Sequence, residues 1–428
     1  MGPEWVAIIA LVALFVVGTV LPINMGALAY VAAWLVGMYS LDLDEKEILA
    51  GVSGDLILTL IGVTFLFAIA RNNGTVDLIV QGAVRGVGGR VALIPWVMFA
   101  VTAVLTAIGA VSPAACAIIG PIALGFAGRY GISPLMMGML VVHGAQAGGF
   151  SPISIYGTIT NSVMRENDLP NSELTIFLSS LVINTIMAAI LFFVLGGRRL
   201  WSLRVDPSEE TDETDADGGG GGTAVATRTA VTRDQVLTLI AFVGVAVVAL
   251  AFDKNIGFVA ITAAVILSML APEKNKDTVK QVAWPTVLLV AGVSTYATIL
   301  ETAGSPEFVG NWAAGLGTAV LGALILCYVG GVVSAFASST ALLPVIIPIA
   351  IPLIADGGVS AGLFVAALAV SSTIVDVSPF STNGALMLAN RPDSIGEQTY
   401  YKQILTYSVI VVVVGPLLVW TALVLPGW

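Results

Sequence analysis

Apolar residues run continuously along most of this chain, in stretches that approach or exceed the ~18–20 residues needed to cross a bilayer. They do not alternate with polar residues, as the strands of a membrane β-barrel would require. The pattern predicts membrane helices at about 4–21, 24–41, 55–71, 133–157 and 173–196, then at about 234–251, 256–271, 285–301, 359–386 and 403–425. Two further apolar stretches, about 92–128 and about 317–355, are interrupted near their centres by small polar residues. They read as re-entrant hairpins with tips near Ser112-Pro113 and Ser338-Ser339-Thr340. The expected fold class is an all-α polytopic membrane protein.

A polar linker, residues 198–233, divides these elements into two equal sets. It carries seven acids between Asp206 and Asp217, followed by Gly218 to Gly222, the composition of a solvated connector. The flanking segments, 1–197 and 234–428, repeat one another. Residues 151–157 read SPISIYG and residues 378–384 read SPFSTNG, both fitting S-P-x-S-x-x-G at an offset of 227. The same offset pairs Ser112 with Ser339, Pro121 with Pro348 and Ser133 with Ser360. Further upstream, at an offset of 230–231, Asn24-x-Gly26 matches Asn255-x-Gly257, and Gly62-Val63-Thr64 matches Gly292-Val293-Ser294. Each repeat is expected to hold five spans and one hairpin.

Composition sharpens the class. Of 428 residues, 57% are hydrophobic and 10% charged, against about 25% charged in ordinary soluble domains. A soluble enzyme, a nucleic-acid-binding protein and a secreted disulfide scaffold are excluded. The two cysteines, Cys116 and Cys327, lie in apolar segments without metal or redox spacing. The first apolar run follows Glu4 and no basic residue, and is expected to be a permanent helix rather than a cleaved signal. Under the predicted topology, 14 Lys and Arg residues fall on one side and only Lys46, Arg165 and Lys254 on the other. The positive-inside rule makes the first side cytoplasmic. Both termini are then expected outside, the linker in the cytoplasm, and the second repeat inverted relative to the first in an inner (plasma) membrane.

Inverted repeats with broken helices place binding sites at the midplane of secondary transporters. Pro152 and Pro379 interrupt otherwise apolar spans, since proline has no N–H for the helical ladder. Gly157 and Gly384 are expected to supply conformational freedom to the unwound segments. Ser151, Ser154, Ser378, Ser381, Thr382 and Asn383 offer oxygens and an amide beside the breaks. The tip residues Ser112, Ser338, Ser339 and Thr340 each precede a new helix, whose free N–H groups and positive dipole end suit an anion without a basic side chain. No Lys or Arg lies in a predicted span core. Ser112, Ser151, Ser339, Asp376 and Ser378 are candidate oxygen ligands for Na⁺. Asp376 lies at membrane depth and equally reads as a proton carrier or a helix cap. His143 reads as a packed histidine or a proton relay, and Gln146 as a site-lining amide.

At these residues the chain resembles a dicarboxylate carrier of the MatC (malonate carrier) type. The likeness covers the first ~155 residues, especially Gly109-Ala110-Val111-Ser112-Pro113 through Ser151-Pro152-Ile153-Ser154. The whole chain is similar to the ion-transporter superfamily that includes the divalent anion/Na⁺ symporters. That family carries Ser-Asn-Thr at each hairpin tip. The second motif falls here on Ser338-Ser339-Thr340 and the first on Val111-Ser112-Pro113, with departures that unsettle the Na⁺ sites. The resemblance implies symport of a small dicarboxylate such as malonate or succinate, elevator-type motion and a homodimer in the lipid membrane.

An ion exchanger of the same fold using Asp376 is the alternative. A membrane enzyme would need a nucleophile–base pair or metal cluster, and neither is present in the sequence. No ATP-binding motif or organic cofactor is expected, and no nucleic-acid partner; the coupling ion is Na⁺ or H⁺.

Overall fold

The computed structural model describes residues 2–21, 23–85, 90–203, 231–252, 254–314, 318–335, 339–355 and 359–426, and among these the regular elements are helical. The main helices of the first half are α1 (Pro3–Val20), α2 (Met25–Ser40), α3 (Gly54–Asn72), α4 (Ile94–Ala107), α5 (Ser112–Tyr130), α6 (Pro134–Gly148), α7 (Ile155–Glu166) and α8 (Glu173–Val194). Those of the second half are α9 (Arg233–Ala251), α10 (Ile256–Leu270), α11 (Trp284–Thr302), α12 (Ala319–Ser334), α13 (Ser339–Ala355), α14 (Ala361–Ile374), α15 (Thr382–Ala389) and α16 (Glu397–Leu423). Each helix of the first half has a counterpart eight labels later. The connectors 75–91 and 305–316 contain the short helices Thr75–Arg85 and Ser305–Ala314.

Five helices, α3, α5, α8, α11 and α16, are long and apolar enough to cross a bilayer, and several shorter ones are equally apolar. The chain is an integral, multi-pass membrane protein. The span at 133–157 is broken around Pro152, as the sequence reading has it, and differs in one boundary: its second piece, α7, continues to Glu166. Thr158, Thr160, Asn161 and Ser162 end the apolar run in sequence, yet all four are buried against protein. The stretch 359–386 likewise divides into α14 and α15. Within 92–128, the returning arm α5 has 19 residues against 14 in α4, which is long enough to span. Most of the linker 198–233 lies outside the described residues, as does Ser338; its described ends are the turn at Gly197–Leu200 and the Thr232 cap of α9.

Two crossings join the halves. A Cβ on Gly26 would lie 2.0 Å from the Leu288 carbonyl oxygen, and one on Gly292 would lie 2.0 Å from the Gly26 carbonyl oxygen. Helices α2 and α11 therefore touch backbone to backbone. In the same way a Cβ on Gly62 would meet the Gly257 carbonyl oxygen at 2.7 Å, and one on Gly257 would meet the Thr59 nitrogen at 2.7 Å, where α3 crosses α10. Small residues let membrane helices approach this closely and gain dispersion contacts. The crossings are reciprocal: helix two of each half packs on helix three of the other. Asn24 and Asn255 reinforce them. Each caps its own helix, with Asn24 Oδ1 accepting from Gly26 N (2.9 Å) and Asn255 Oδ1 from Phe258 N (3.1 Å). Each also donates through Nδ2 to the start of the crossed helix, to the Pro285 carbonyl (3.0 Å) and to the Asp55 carboxylate.

Gly292→Ala is expected to lower the thermal unfolding midpoint in detergent by the equivalent of about 3 kcal/mol, since the methyl must displace backbone rather than a side-chain end. Gly125→Ala, with nothing within 4 Å of the new methyl, is the control that leaves it unchanged.

Candidate functional site

The breaks come first, because they aim everything else. In S-P-x-S-x-x-G the second serine caps the new helix. Ser154 Oγ accepts from Gly157 N and Ser381 Oγ from Gly384 N, both at 3.3 Å. Each hydroxyl also donates backward, Ser154 to the carbonyls of Ser151 (2.6 Å) and Gly149, and Ser381 to those of Ser378 (2.7 Å) and Asp376 (2.6 Å). Carbonyls freed by the interruption are thereby satisfied inside the protein, as backbone at membrane depth requires. The glycines act otherwise than the sequence suggested. Gly157 and Gly384 are not among the residues with positive φ. A Cβ on either would lie 2.0 Å from the carbonyl oxygen of Ser151 or Ser378, so the requirement is close approach and not an unusual dihedral. The first serines are also engaged with backbone: Ser151 Oγ donates to the Ala107 carbonyl (2.9 Å) and Ser378 Oγ accepts from Phe380 N (3.1 Å).

Both tips and both breaks converge on one cavity of about 180 Å³. Its wall includes Val111 and Pro113 from the first tip, Ser339 and Thr340 from the second, Tyr156 after the first break, and Asp376, Ser381, Thr382 and Asn383 around the second. Thr286 and Leu289 of α11 complete it. Four helices, α5, α7, α13 and α15, begin there, so four positive dipole ends meet at a cavity without a lysine or arginine in its wall.

Among the described residues, Asp376 is the one charge-bearing group in this wall. Ser339 Oγ lies 2.8 Å from both carboxylate oxygens, and Tyr156 OH lies 3.4 Å from Oδ2. The Ser339 proton goes to the carboxylate, so Ser334 Oγ, 2.7 Å away, donates to Ser339. No lysine, arginine or histidine among the described residues pairs with Asp376. This all-oxygen group suits a proton or a hard monovalent cation. Asn383 Nδ2 donates to Ser112 Oγ (2.9 Å), tying the first tip to the second break, while Asn383 Oδ1 is buried without a partner. Rotating this amide would let Ser112 donate to Oδ1 and free the NH₂ toward the cavity.

Ser112, Ser339, Thr340, Asp376, Ser381, Thr382 and Asn383 are thus brought together. Ser151, Ser154 and Ser378 stay within their breaks. Pro152 lines a different cavity, and Pro379 is buried within its own break. His143 and Gln146 lie outside the central wall. His143 bridges Asn184 Oδ1 (2.9 Å from Nδ1) and Tyr407 OH (2.6 Å from Nε2). Because Asn184 Nδ2 is committed to the Ser180 carbonyl, Nδ1 carries the histidine proton and Nε2 accepts from the tyrosine. The ring braces α6 against α8 and α16. Gln146 is buried with both side-chain atoms unpartnered. Sequence reasoning missed Tyr156 and Thr286. Tyr156 sits in SPISIYG at the position equivalent to Asn383, a signal that was in view.

Comparisons with known proteins now bear on the chain. The family model described as the N-terminus of dicarboxylate carrier protein MatC matches residues 1–149. The model described as citrate transporter matches residues 255–427. No curated protein matches in sequence. Among solved structures, the Alcanivorax borkumensis YdaH transporter is similar with a TM-score of 0.58 over 90% of this chain and 88% of that one, at 12% identity, which speaks for the fold alone. These matches bear out the resemblance to a MatC-type carrier of the ion-transporter superfamily. Both matched family models are of carboxylate transporters, which supports a secondary transporter.

Ser154→Ala and Ser381→Ala are each expected to lower stability by about 1 kcal/mol through loss of the cap, read as the unfolding midpoint in detergent. A loss confined to one of them would mean that the two breaks are not built alike.

Proposed function

We propose that this MatC-type transporter is a cation-coupled symporter of small dicarboxylates such as malonate or succinate. The observation that carries the reading is the central cavity, where four helix N-termini and several hydroxyls face one buried acid that has no basic partner. The helix ends and the side chains of Ser112, Thr340, Thr382 and Asn383 receive the carboxylates. Asp376 supplies the coupling. An anion seated about 4 Å from an ionised carboxylate meets repulsion of about 4 kcal/mol at an effective dielectric of ~20. Occupancy of Asp376 and Ser339 by Na⁺ or a proton removes that repulsion, so cation and anion bind together.

The reading takes 1–197 and 234–428 as inverted repeats around a cytoplasmic linker, α4–α5 and α12–α13 as re-entrant hairpins, and both termini as external. The charge partition supports this, and so do the contacts at the two ends. Asn72 bonds Thr278 (3.0 Å) and Lys274 pairs with Asp234 (2.6 Å) at the cytoplasmic end. Ser53 bonds Glu166 (2.8 Å) and Ser305 bonds the Glu4 carbonyl (3.2 Å) at the other. The α2–α11 and α3–α10 crossings form a scaffold, and the hairpins with the broken helices move against it as an elevator. The homodimer comes from the family resemblance.

Thr340→Ala and Asn383→Ala are each expected to weaken succinate or malonate binding to purified protein about tenfold by calorimetry, the worth of one hydrogen bond. Unchanged affinity in both would place the anion elsewhere. Asp376→Asn is expected to bind the anion without any dependence on Na⁺ or pH. If it instead abolishes transport of ions in a protein that never binds a dicarboxylate, the chain is an ion exchanger of the same fold; the bare carboxylate of Asp376 favours that as the second reading.

A further inference from the structure

A second polar cavity, about 320 Å³, lies among α3, α7 and the starts of α8 and α10, where Glu173, Lys254 and Asn255 line it, and extends to Pro152 of the first break. Its wall includes Asp55 and Thr59 from α3, and Thr158, Asn161 and Arg165 from α7. Thr158 Oγ1 and Asn161 Oδ1 are buried without partners. By repeat position this place corresponds to the side of the central cavity formed by α11 and α15. Thr59 corresponds to Leu289 at the offset of 230, and Pro152 to Pro379 at 227.

The two places differ in what spans them. Between α11 and α15 no hydrogen bond or ion pair joins the described residues. Between α3 and α7, Arg165 reaches Asp55 at 3.0 Å, and Ser162 Oγ donates to the same carboxylate at 3.2 Å. Arg165 also donates to Ser162 (2.9 Å) and lies 3.8 Å from Glu173. Ser53, the residue before α3, donates to Glu166 at the end of α7 (2.8 Å). The Asp55 carboxylate is further held by Asn255 at the start of α10. A scaffold helix and the second piece of a broken helix are thus fastened at one end of the molecule and unfastened at the equivalent place.

We propose that the cavity between α3 and α7 is the second access route to the central site, and that the Arg165–Asp55 pair is the latch that shuts it while the route between α11 and α15 stands open. This rests on the alternating-access reading above. The pair is suited to a latch because it is partly solvated, with side-chain exposures of 52% and 35%. Exposed pairs of this kind are weak enough to break in each cycle. Arg165 and Asp55 are positioning residues: they touch neither the central cavity nor its acid.

The experiment reads access directly and needs no substrate. Thr158→Cys is made in a chain whose Cys116 and Cys327 are replaced by alanine, reconstituted in liposomes, and labelled with a membrane-impermeant maleimide. Asp55→Asn is expected to speed labelling about fivefold, the scale of an exposed ion pair. Exchanging the charges, Asp55→Arg with Arg165→Asp, is expected to return the rate toward the parent. Arg165→Lys, which keeps the charge and loses the forked geometry, is expected to fall between and serves if Asp55→Asn does not fold. Equal labelling in the parent and the neutralised variant, or no recovery on charge exchange, overturns the latch. Labelling that follows the pair in a protein that takes up no dicarboxylate keeps the latch and removes the substrate reading. Dicarboxylate uptake with labelling indifferent to the pair does the reverse.

Discussion

Everything in this structure depends on how an interrupted backbone is satisfied inside a membrane. A broken helix at bilayer depth frees carbonyls and amides that water cannot reach, and each unsatisfied group costs several kcal/mol. The chain solves this twice with one device. A serine caps the new helix and hands its proton back to the carbonyls of the break, and a glycine three residues on lets a carbonyl sit where a methyl would be. With the breaks stabilised, the helix starts they create are fixed in direction, and four of them point at one cavity.

That cavity combines partial positive charge from helix ends with one full negative charge, Asp376, held only by hydroxyls. The combination is unfavourable for an anion alone and for a carboxylate alone. It becomes favourable when a cation and an anion arrive together, which is the physical content of symport. One contact of Asp376 crosses the halves: Ser339 belongs to its own half, the second, and Tyr156 to the first. Asn383 to Ser112 is a further bond between them. Relative motion of hairpins and broken helices therefore acts on the groups that hold the charge.

Much of this was legible in the sequence, and the reasons are particular. The repeated S-P-x-S-x-x-G located both breaks because proline ends one helical ladder, serine caps the next and glycine admits the folded-back carbonyl. Asn24-x-Gly26 and Asn255-x-Gly257 marked matching positions of the two halves, although the caps they form and the crossings they serve needed coordinates. What failed did so for physical cause. Gly157 and Gly384 were read for dihedral freedom when proximity governs them, since a carbonyl folded back on a helix leaves no trace in local sequence. The end of α7 was missed because Thr158, Thr160, Asn161 and Ser162 are polar yet buried. The hydroxyls of Ser151, Ser154 and Ser378 are engaged with backbone, a competition that residue type alone does not reveal.

The central claim is that a small dicarboxylate and a cation enter one site together. The most direct test is uptake of radiolabelled succinate and malonate into proteoliposomes of the purified chain, with Na⁺ and proton gradients imposed separately. The account predicts saturable uptake above the external concentration under at least one of the two gradients, and none when both are dissipated. Absence of uptake of either acid under both gradients, from folded protein, would contradict it.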